Sequence, residues 1–234
     1  MALDTARGFT EHFEDFDVTA IADLPEIDIQ AVTGDTIALV AGGDDGRIRL
    51  TAATSNDDDV GAITFGALNW KAGGGDLYAS VRVELSSITD NKFFIGFGDS
   101  VASADETSFD ATADVVDILT MTDGIGLLFD NDATTKQFWA VAGKTDVATV
   151  GYGLGTASWS NIAITTMHTF GVWLSQDRRS ARWYIDGKEV YALDSPTTLV
   201  GAVALVPGLW TYEQGTACAY DVDYIHARKA RATT

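Results

Sequence analysis

Apolar and polar residues alternate along much of this chain. The alternation is complete from Leu77 to Leu85, and it returns at 93–97 and at 125–129. A period of two is typical of a strand with one buried and one solvated face. Between these runs lie short turns rich in Gly, Asp and Asn, so the pattern predicts many short antiparallel strands.

The segment 168–192 predicts a β-hairpin most clearly. Asp186 and Gly187 supply the positive φ angles of a two-residue type I′ turn. With that turn, we expect Ile185 to face Lys188, Tyr184 to face Glu189, and Trp183 to face Val190.

Residues 1–33 differ from the rest of the chain. Phe9, Phe13 and Phe16 stand among acidic residues, and Pro25 interrupts the segment that follows them. Their spacing suits either a short helix or an arm anchored by aromatic side chains, and the sequence does not choose between these. We expect an N-terminal arm over residues 1–33 that covers the domain's own sheet or reaches a neighbouring molecule.

Two segments lack periodicity. The polar insertion 100–117 predicts a long surface loop, and 143–160 also resembles a loop. In the last strand we expect Cys218 and Tyr224 to share the buried face, and Arg228 to begin a solvated basic terminus. Residues 34–234 are therefore predicted to form one all-β domain, a two-sheet antiparallel sandwich of the jelly-roll type.

Composition excludes some partners. The 234 residues include 34 acidic and 15 basic side chains, for a net charge of −19. Nucleic acid and anionic membranes bind clustered Lys and Arg, so neither is expected as a partner. The acidity favours either attraction to a basic surface or simple solubility, and solubility is the default interpretation.

Cysteine content and hydropathy bear on location. The single Cys218 excludes an internal disulfide. The N-terminus lacks the apolar region of a signal peptide, and no apolar run is long enough for a membrane span. We expect a soluble protein made in the cytoplasm.

Candidate catalytic residues are few. The segment 26–30, Glu-Ile-Asp-Ile-Gln, is similar to the Glu-x-Asp-x-Glu strand of laminarinase-like glycosidases, which need a protonated carboxyl as acid. Gln30 occupies the position of that acid and carries no titratable proton. With three histidines and no nucleophile elbow, a catalytic triad is not expected either, and we predict no enzymatic activity.

The sequence also contains candidate residues for a metal site and for a glycan site. The acidic clusters at 56–59 and 130–132 suit calcium, but they lack the spacing of a calcium loop and equally suit tight turns, so no metal or cofactor is expected. Exposed aromatic rings are the usual platform for sugars. The candidates are Trp139, Tyr152, Trp159, Trp173 and Trp210.

Three runs carry a resemblance to a known group of proteins: 77–99, 123–146 and 181–188. The last contains a Trp-Tyr-Ile-Asp-Gly hairpin, and the second contains Phe-Asp-Asn-Asp-Ala-Thr-Thr. Together they resemble concanavalin A-like or laminin-G-like jelly rolls of tailed-bacteriophage virion proteins.

The resemblance implies a non-enzymatic structural protein on the capsid exterior of a virion. It implies a decoration or cement protein, often a homotrimer, that binds the major capsid protein. The aromatic residues Phe9, Phe13 and Phe16 would make capsid or subunit contacts. The alternative is a lectin-like, glycan-binding module of a tail fibre or cell surface, and a laminarinase-like glycosidase ranks third.

Overall fold

A computed structural model describes most of the chain. The described residues are 3–5, 9–24, 26–31, 36–40, 46–51, 60–66, 70–87, 91–99, 109–118, 121–131, 133–156, 158, 162, 165–213 and 218–230. Strands account for most of this part of the chain, as the alternation predicts.

The strands form two antiparallel sheets. Sheet A has nine strands, in the order β1-β2-β19-β8-β15-β16-β17, with β4 and β5 attached beside β19. They are β1 (Leu3–Thr5), β2 (Phe9–Glu14), β4 (Thr36–Leu39), β5 (Ile48–Thr51), β8 (Leu77–Leu85), β15 (Met167–Leu174), β16 (Ser180–Ile185), β17 (Lys188–Asp194) and β19 (Ala219–Ala230).

Sheet B has eight strands, in the order β14-β13-β12-β9-β18-β6-β3, with β7 beside β18. They are β3 (Ile27–Ala31), β6 (Val60–Phe65), β7 (Trp70–Lys71), β9 (Asn91–Gly98), β12 (Gly124–Asp130), β13 (Phe138–Lys144), β14 (Val147–Gly153) and β18 (Ala204–Glu213). Outside the sheets, β10 (Phe109–Asp110) pairs with β11 (Asp117–Ile118). Two short 3-10 turns lie at Ile21–Asp23 and Thr112–Asp114.

The two sheets pack face to face over an aromatic core. Phe138 of sheet B stacks on Phe170 of sheet A at 5.2 Å, and Phe93 lies 6.0 Å from Phe170. The indole of Trp183 donates a hydrogen bond to the Gly126 carbonyl across the sandwich (2.7 Å). The predicted all-β sandwich is therefore confirmed, and burial of these rings is its main source of stability.

Residues 109–118 and Met121 pack on the outer face of sheet B. Phe109 is completely buried and lies 5.1 Å from Phe94. A Cβ built on Gly143 would overlap Ile118, and one on Gly98 would overlap Met121, so these glycines allow the close approach. We call residues 109–118 and Met121 the cover.

Both loop predictions are partly wrong. Within 143–160, Val147–Gly153 forms strand β14. Residues 109–117 were predicted as surface loop, but they form a third layer of packing; residues 100–108 lie outside the described part. The insertion has no periodicity because its apolar residues contact a sheet face at irregular intervals rather than through a regular strand.

The predicted hairpin is confirmed with one change of register. Asp186 and Gly187 have φ angles of 51° and 73°, as a type I′ turn requires. Ile185 pairs with Lys188 and Tyr184 with Glu189. The predicted pairing of Trp183 with Val190 is wrong: an irregularity between Trp183 and Tyr184 shifts the register by one residue, and Trp183 pairs with Tyr191.

The N-terminal segment is part of the sandwich. β2 pairs with β19 in sheet A, and β3 pairs with β6 in sheet B. The helical alternative for the Phe9–Phe16 region is wrong, because β2 is extended up to Glu14. Residues predicted to form a separate arm therefore contribute two strands, β1 and β2, to sheet A and one, β3, to sheet B.

A second irregularity, in β19, changes which residues of the last strand face the core. The register of β19 against β8 shifts between Val222 and Tyr224. Cys218 and Val222 are buried as predicted, but beyond the shift Ile225 and Ala227 take the buried positions. Tyr224 therefore lies on the outer face, contrary to the simple alternation, and Arg228 belongs to a strand rather than to a solvated terminus.

Candidate functional site on the outer face of sheet A

The outer faces of the two sheets differ. The cover packs on that of sheet B, whereas outward-facing residues of sheet A such as Arg82 and Arg228 are exposed. The outer face of sheet A is therefore the face on which strand residues from several parts of the chain are available to a ligand or partner.

One row of cross-strand neighbours on this face combines aromatic and basic side chains. Arg228 of β19 pairs with Tyr78 of β8, Tyr78 with Trp173 of β15, and Trp173 with Arg182 of β16. Directly paired residues project to the same side of a sheet. The Arg182 guanidinium lies 5.9 Å from the Trp173 ring, within range of a cation–π contact.

The adjacent row contains small residues at its centre. His226 pairs with Ser80, Ser80 with Gly171, and Gly171 with Tyr184. A Cβ on Gly171 would lie 3.3 Å from the Tyr78 hydroxyl, so the glycine leaves room for that ring. Tyr78 accordingly lies between His226 (5.6 Å between ring centres) and Tyr184 (6.4 Å).

A groove and a cleft lie side by side at this end of sheet A. The groove has a volume of about 260 Å³ and is lined by Asp76, Leu77, Tyr78, Trp173, His226, Arg228 and Ala230. The cleft has a volume of about 570 Å³ and is lined by Gly73, Asp76, Ser175, Gln176, Asp177, Arg178 and Ser180. Asp76 lines both, so the polar cleft adjoins the aromatic groove.

Hydrogen bonds hold the cleft in shape. The Asp76 carboxylate accepts a bond from the Gln176 amide (2.7 Å), and the Ser175 hydroxyl donates to Asp177 (2.5 Å) and accepts from the Ser180 amide (2.9 Å). The hydroxyl of Ser175 and the amide of Arg179 lower the pKa of Asp177 by bonding to its carboxylate. Asp177 is therefore an anion at neutral pH.

Ion pairs surround the aromatic residues. Arg182 bonds to Asp194 at 3.1 Å, and His226 lies 2.8 Å from Glu11. Bonds from Ser180 and then Arg182 lower the pKa of Asp194. Burial raises the pKa of the Tyr184 hydroxyl, with a smaller contribution from Glu189, so Tyr184 stays protonated. The face is polar, with charges of both signs.

The structure separates the predicted glycan-binding aromatics. Trp139 and Trp210 are 4% and 1% exposed, so they are not available to a ligand. Their strand partners place them on the covered face of sheet B. Trp173 lies in the groove, and Trp159 is outside the described residues. Tyr152 is exposed, but it stacks on Tyr191 at 4.2 Å where the edges of β14 and β17 meet.

The phenylalanines predicted to contact a capsid or subunit differ in their exposure. Phe16 is completely buried, so it is a core residue and not a surface contact. Its φ of 56° marks the bend that follows β2 and turns the ring inward. Phe13 is 54% exposed and packs on Tyr224 at 5.2 Å between ring centres. Phe9 is in β2, but its side chain is not among those described.

The predicted carboxylate constellation is part of an edge strand. Ile27 and Ile29 pack against the core, which leaves Asp28 on the opposite face of β3. Glu26 lies 3.1 Å from His12. The side chain of Gln30, which occupies the position of the catalytic acid, is outside the described part.

The structure describes only part of the two acidic clusters that were candidates for calcium binding. Residues 56–59 and Asp132 lie outside the described residues. Asp130 is completely buried; it accepts a hydrogen bond from the Ala111 amide (3.0 Å) and lies 3.5 Å from Lys92. These contacts tie the cover to sheet B. Where side chains are described, no group of three or more His, Cys, Asp or Glu is arranged to hold a metal.

Several groove residues were missed by the sequence analysis. Tyr78 was recognised only as a solvated position of a strand, and Arg228 as part of a terminal basic cluster. Each does occupy an alternating outward position, but only the register of β8, β15 and β19 shows that they are neighbours.

No protein-family model matches the chain, and no curated protein sequence matches it. Solved structures do share its fold. A protein of unknown function from Shewanella oneidensis MR-1 is similar over 100% of this chain and 92% of its own, with 15% identity and a TM-score of 0.65. Peanut lectin is similar over 97% of this chain and 99% of its own, with 13% identity and a TM-score of 0.54.

A carbohydrate esterase from the Shiga toxin-encoding bacteriophage phi24B is also similar, over 93% of this chain and 96% of its own, with 13% identity and a TM-score of 0.54. At such identities the likeness establishes the fold alone. The chain thus has the concanavalin A-like jelly-roll sandwich seen in lectins and glycosidases. No helix among the described residues is long and apolar enough to cross a membrane.

Proposed function

We propose that this protein is a non-enzymatic structural protein of a tailed-bacteriophage virion. Specifically, it is a capsid decoration protein that binds the major capsid protein from the capsid exterior. Its resemblance in 77–99, 123–146 and 181–188 to phage virion jelly rolls supports this function, and the fold is compatible with it.

The observation that carries the proposal is the exposed ring of Phe13. A phenylalanine that is 54% exposed is unusual for a strand residue beside a well-packed core. Phe13 and Tyr224 border a cavity of about 470 Å³ that also includes Asp15, Asp17, Gly46, Arg82 and Asp223. An aromatic pair beside carboxylates suits a partner surface that presents both apolar and basic groups.

The absence of catalysis is part of the proposal. Retaining glycoside hydrolysis needs a protonated carboxyl near a carboxylate. In 26–30 the acid's position is Gln30, and Glu26 lies 3.1 Å from His12. The resemblance to decoration proteins also implies assembly as a homo-oligomer, and we propose a trimer.

Purified virions of the source phage provide the test. Cryo-electron microscopy should show density of this jelly roll at repeated positions on the capsid exterior. Density at the tail tip alone, or absence of the protein from virions, would overturn the proposal.

The contact can be tested by adding purified protein to particles that lack it. Phe13→Ala should weaken particle binding at least tenfold, because exposed aromatic anchors dominate such interfaces. Val147→Ala is the matched control, since Val147 is 62% exposed at the edge strand β14 of sheet B. Equal binding of both variants would remove Phe13 from the interface. Light scattering of the free protein would report the number of subunits.

The alternative, a glycan-binding module of a tail fibre or cell surface, is favoured by a different observation. The groove at Tyr78 and Trp173 is open and lies about one row of side chains away from Phe13. Glycan binding there requires no contact with a capsid, and it is argued separately below.

A further inference from the structure

Tyr78 and Trp173 form an aromatic platform on rigid elements. They are directly paired across β8 and β15, and the residues on either side of them along both strands are buried in the core. Their backbone is therefore held by both sheet hydrogen bonds and core packing. A platform that is already ordered loses little conformational entropy on binding a ligand.

The groove beside this platform is small. Its volume of about 260 Å³ lies slightly below the range of ordinary small-molecule pockets, about 300–1,000 Å³. It therefore suits one compact ring rather than a folded protein element. Arg228, His226 and Asp76 surround it with hydrogen-bonding groups.

The neighbouring cleft is lined by different chemistry. Ser175, Gln176, Asp177 and Ser180 present hydroxyl, amide and carboxylate groups, all of which form hydrogen bonds with hydroxyl groups. Because Asp76 borders both cavities, a ligand that stacks in the groove and is longer than one ring can reach this polar cleft. A ligand that fits both has an apolar ring face and several hydroxyls on a connected unit.

Charge narrows the ligand class. Asp76 and Asp177 line the two cavities together with Arg178 and Arg228, so these formal charges balance locally, while the whole chain has a net charge of −19. Such an environment offers no excess of positive charge to a polyanion such as a nucleic acid or a sulfated chain. A neutral sugar has the required apolar ring face and hydroxyls, and it carries no charge.

We propose that the groove at Tyr78 and Trp173, together with the adjoining cleft, binds a neutral oligosaccharide. One sugar ring stacks on the Trp173 and Tyr78 platform, and the next sugar enters the cleft and bonds to Asp76 and Asp177. This inference goes beyond capsid binding and does not rest on it, since the Phe13 contact and the groove use different residues.

A glycan array with the full-length protein, followed by titration of the best neutral oligosaccharide, tests the proposal. Trp173→Ala should weaken binding at least tenfold, which corresponds to about 1.4 kcal/mol, and Trp173→Phe should restore part of the affinity. Tyr152→Ala is the matched control, because Tyr152 is an exposed aromatic on the β14 edge. It should bind as the unchanged protein does.

Tryptophan fluorescence gives a second readout. Among the tryptophans that the structure describes, Trp70, Trp139, Trp183 and Trp210 are at most 4% exposed, whereas Trp173 is half-buried in the groove. Saturating sugar should therefore change the emission of the unchanged protein and not that of Trp173→Phe.

The outcomes separate this proposal from capsid decoration. No binding on the array, or binding that Tyr152→Ala abolishes and Trp173→Ala does not, would overturn the glycan site. Preference for sulfated or sialylated chains would overturn the neutral ligand class. If Trp173→Ala no longer bound particles and the glycan array showed no binding, the groove would be assigned to a protein partner instead. Failure of Phe13→Ala to affect particles would leave the glycan result unchanged.

Discussion

Truncation of Phe109 should measure how strongly the cover stabilises the fold. Phe109 is completely buried, and its ring lies 5.1 Å from Phe94. A Cβ on Gly124 would approach the Phe109 ring to 3.2 Å, so the ring also packs directly on the backbone of sheet B. Phe109→Ala therefore removes a large side chain from a site where strands on one side and the cover on the other limit collapse.

The magnitude follows from cavity formation. Truncating a buried phenylalanine costs about 3 to 5 kcal/mol of unfolding free energy. At roughly 2 to 4 °C per kcal/mol for a domain of this size, Tm should fall by about 6 to 20 °C. Thermal and urea unfolding, each followed by circular dichroism and fluorescence, measure this change.

Val115→Ala is the control within the same segment. Val115 is 60% exposed, so its truncation should change the unfolding free energy by no more than about 0.5 kcal/mol. If Phe109→Ala lowered Tm by less than about 2 °C, the cover would not belong to the cooperative unit, and its role as a third layer would be refuted. Rapid proteolysis of 109–118 without global unfolding would lead to the same conclusion.

Three further predictions concern other parts of the fold. Burial raises the pKa of Asp110, but hydrogen bonds from Lys92 and Thr112 outweigh this effect and lower the pKa from 3.8 to about 2. Because the pKa is lower in the folded protein, the ionised Asp110 contributes its full stabilisation of the fold above about pH 4, and this contribution is lost towards pH 2. Acid titration of Asp110→Asn should therefore show a weaker loss of stability in that window, and an unchanged acid profile would contradict the ion pair. Gly187→Ala should lower the unfolding free energy measured in urea by about 1 to 2 kcal/mol. Gly187 has a φ of 73°, and a Cβ there would contact nothing within 4 Å, so the cost comes from the backbone conformation alone. An unchanged unfolding free energy would mean that the turn relaxes. Cys218 is 1% exposed and should react with a thiol reagent only in denaturant, whereas rapid reaction of the native protein would show that β19 opens locally.

Local signals predicted the strands well. The alternation of Leu77–Leu85 depends only on which side of a strand each residue faces, and β8 has the predicted buried positions. The turn at Asp186 and Gly187 likewise depends on the backbone preferences of two adjacent residues. Such features are encoded over a few residues, and a reader of the sequence alone can identify them.

The irregularities could not be predicted in the same way. The register shift at Val222 and Tyr224 moves Tyr224 to the outer face, although the local pattern of alternation favours burial. The shift at Trp183 exchanges its partner from Val190 to Tyr191. Each depends on packing against strands distant in sequence, and one extra residue in a strand leaves no clear local signature.

The sequence by itself thus determined the fold class, most of the long strands, the type I′ turn and the burial of Cys218, because period-two burial and turn chemistry are local properties. It missed β14, Val147–Gly153, which lies in a segment predicted as a loop. Tertiary structure alone decided that residues 109–118 and Met121 pack on the face of sheet B that carries Trp139 and Trp210. It also decided that Tyr78, Trp173 and Arg228 meet in one groove. Residues separated by about half the chain become neighbours only through strand register, which is a property of the assembled sheet.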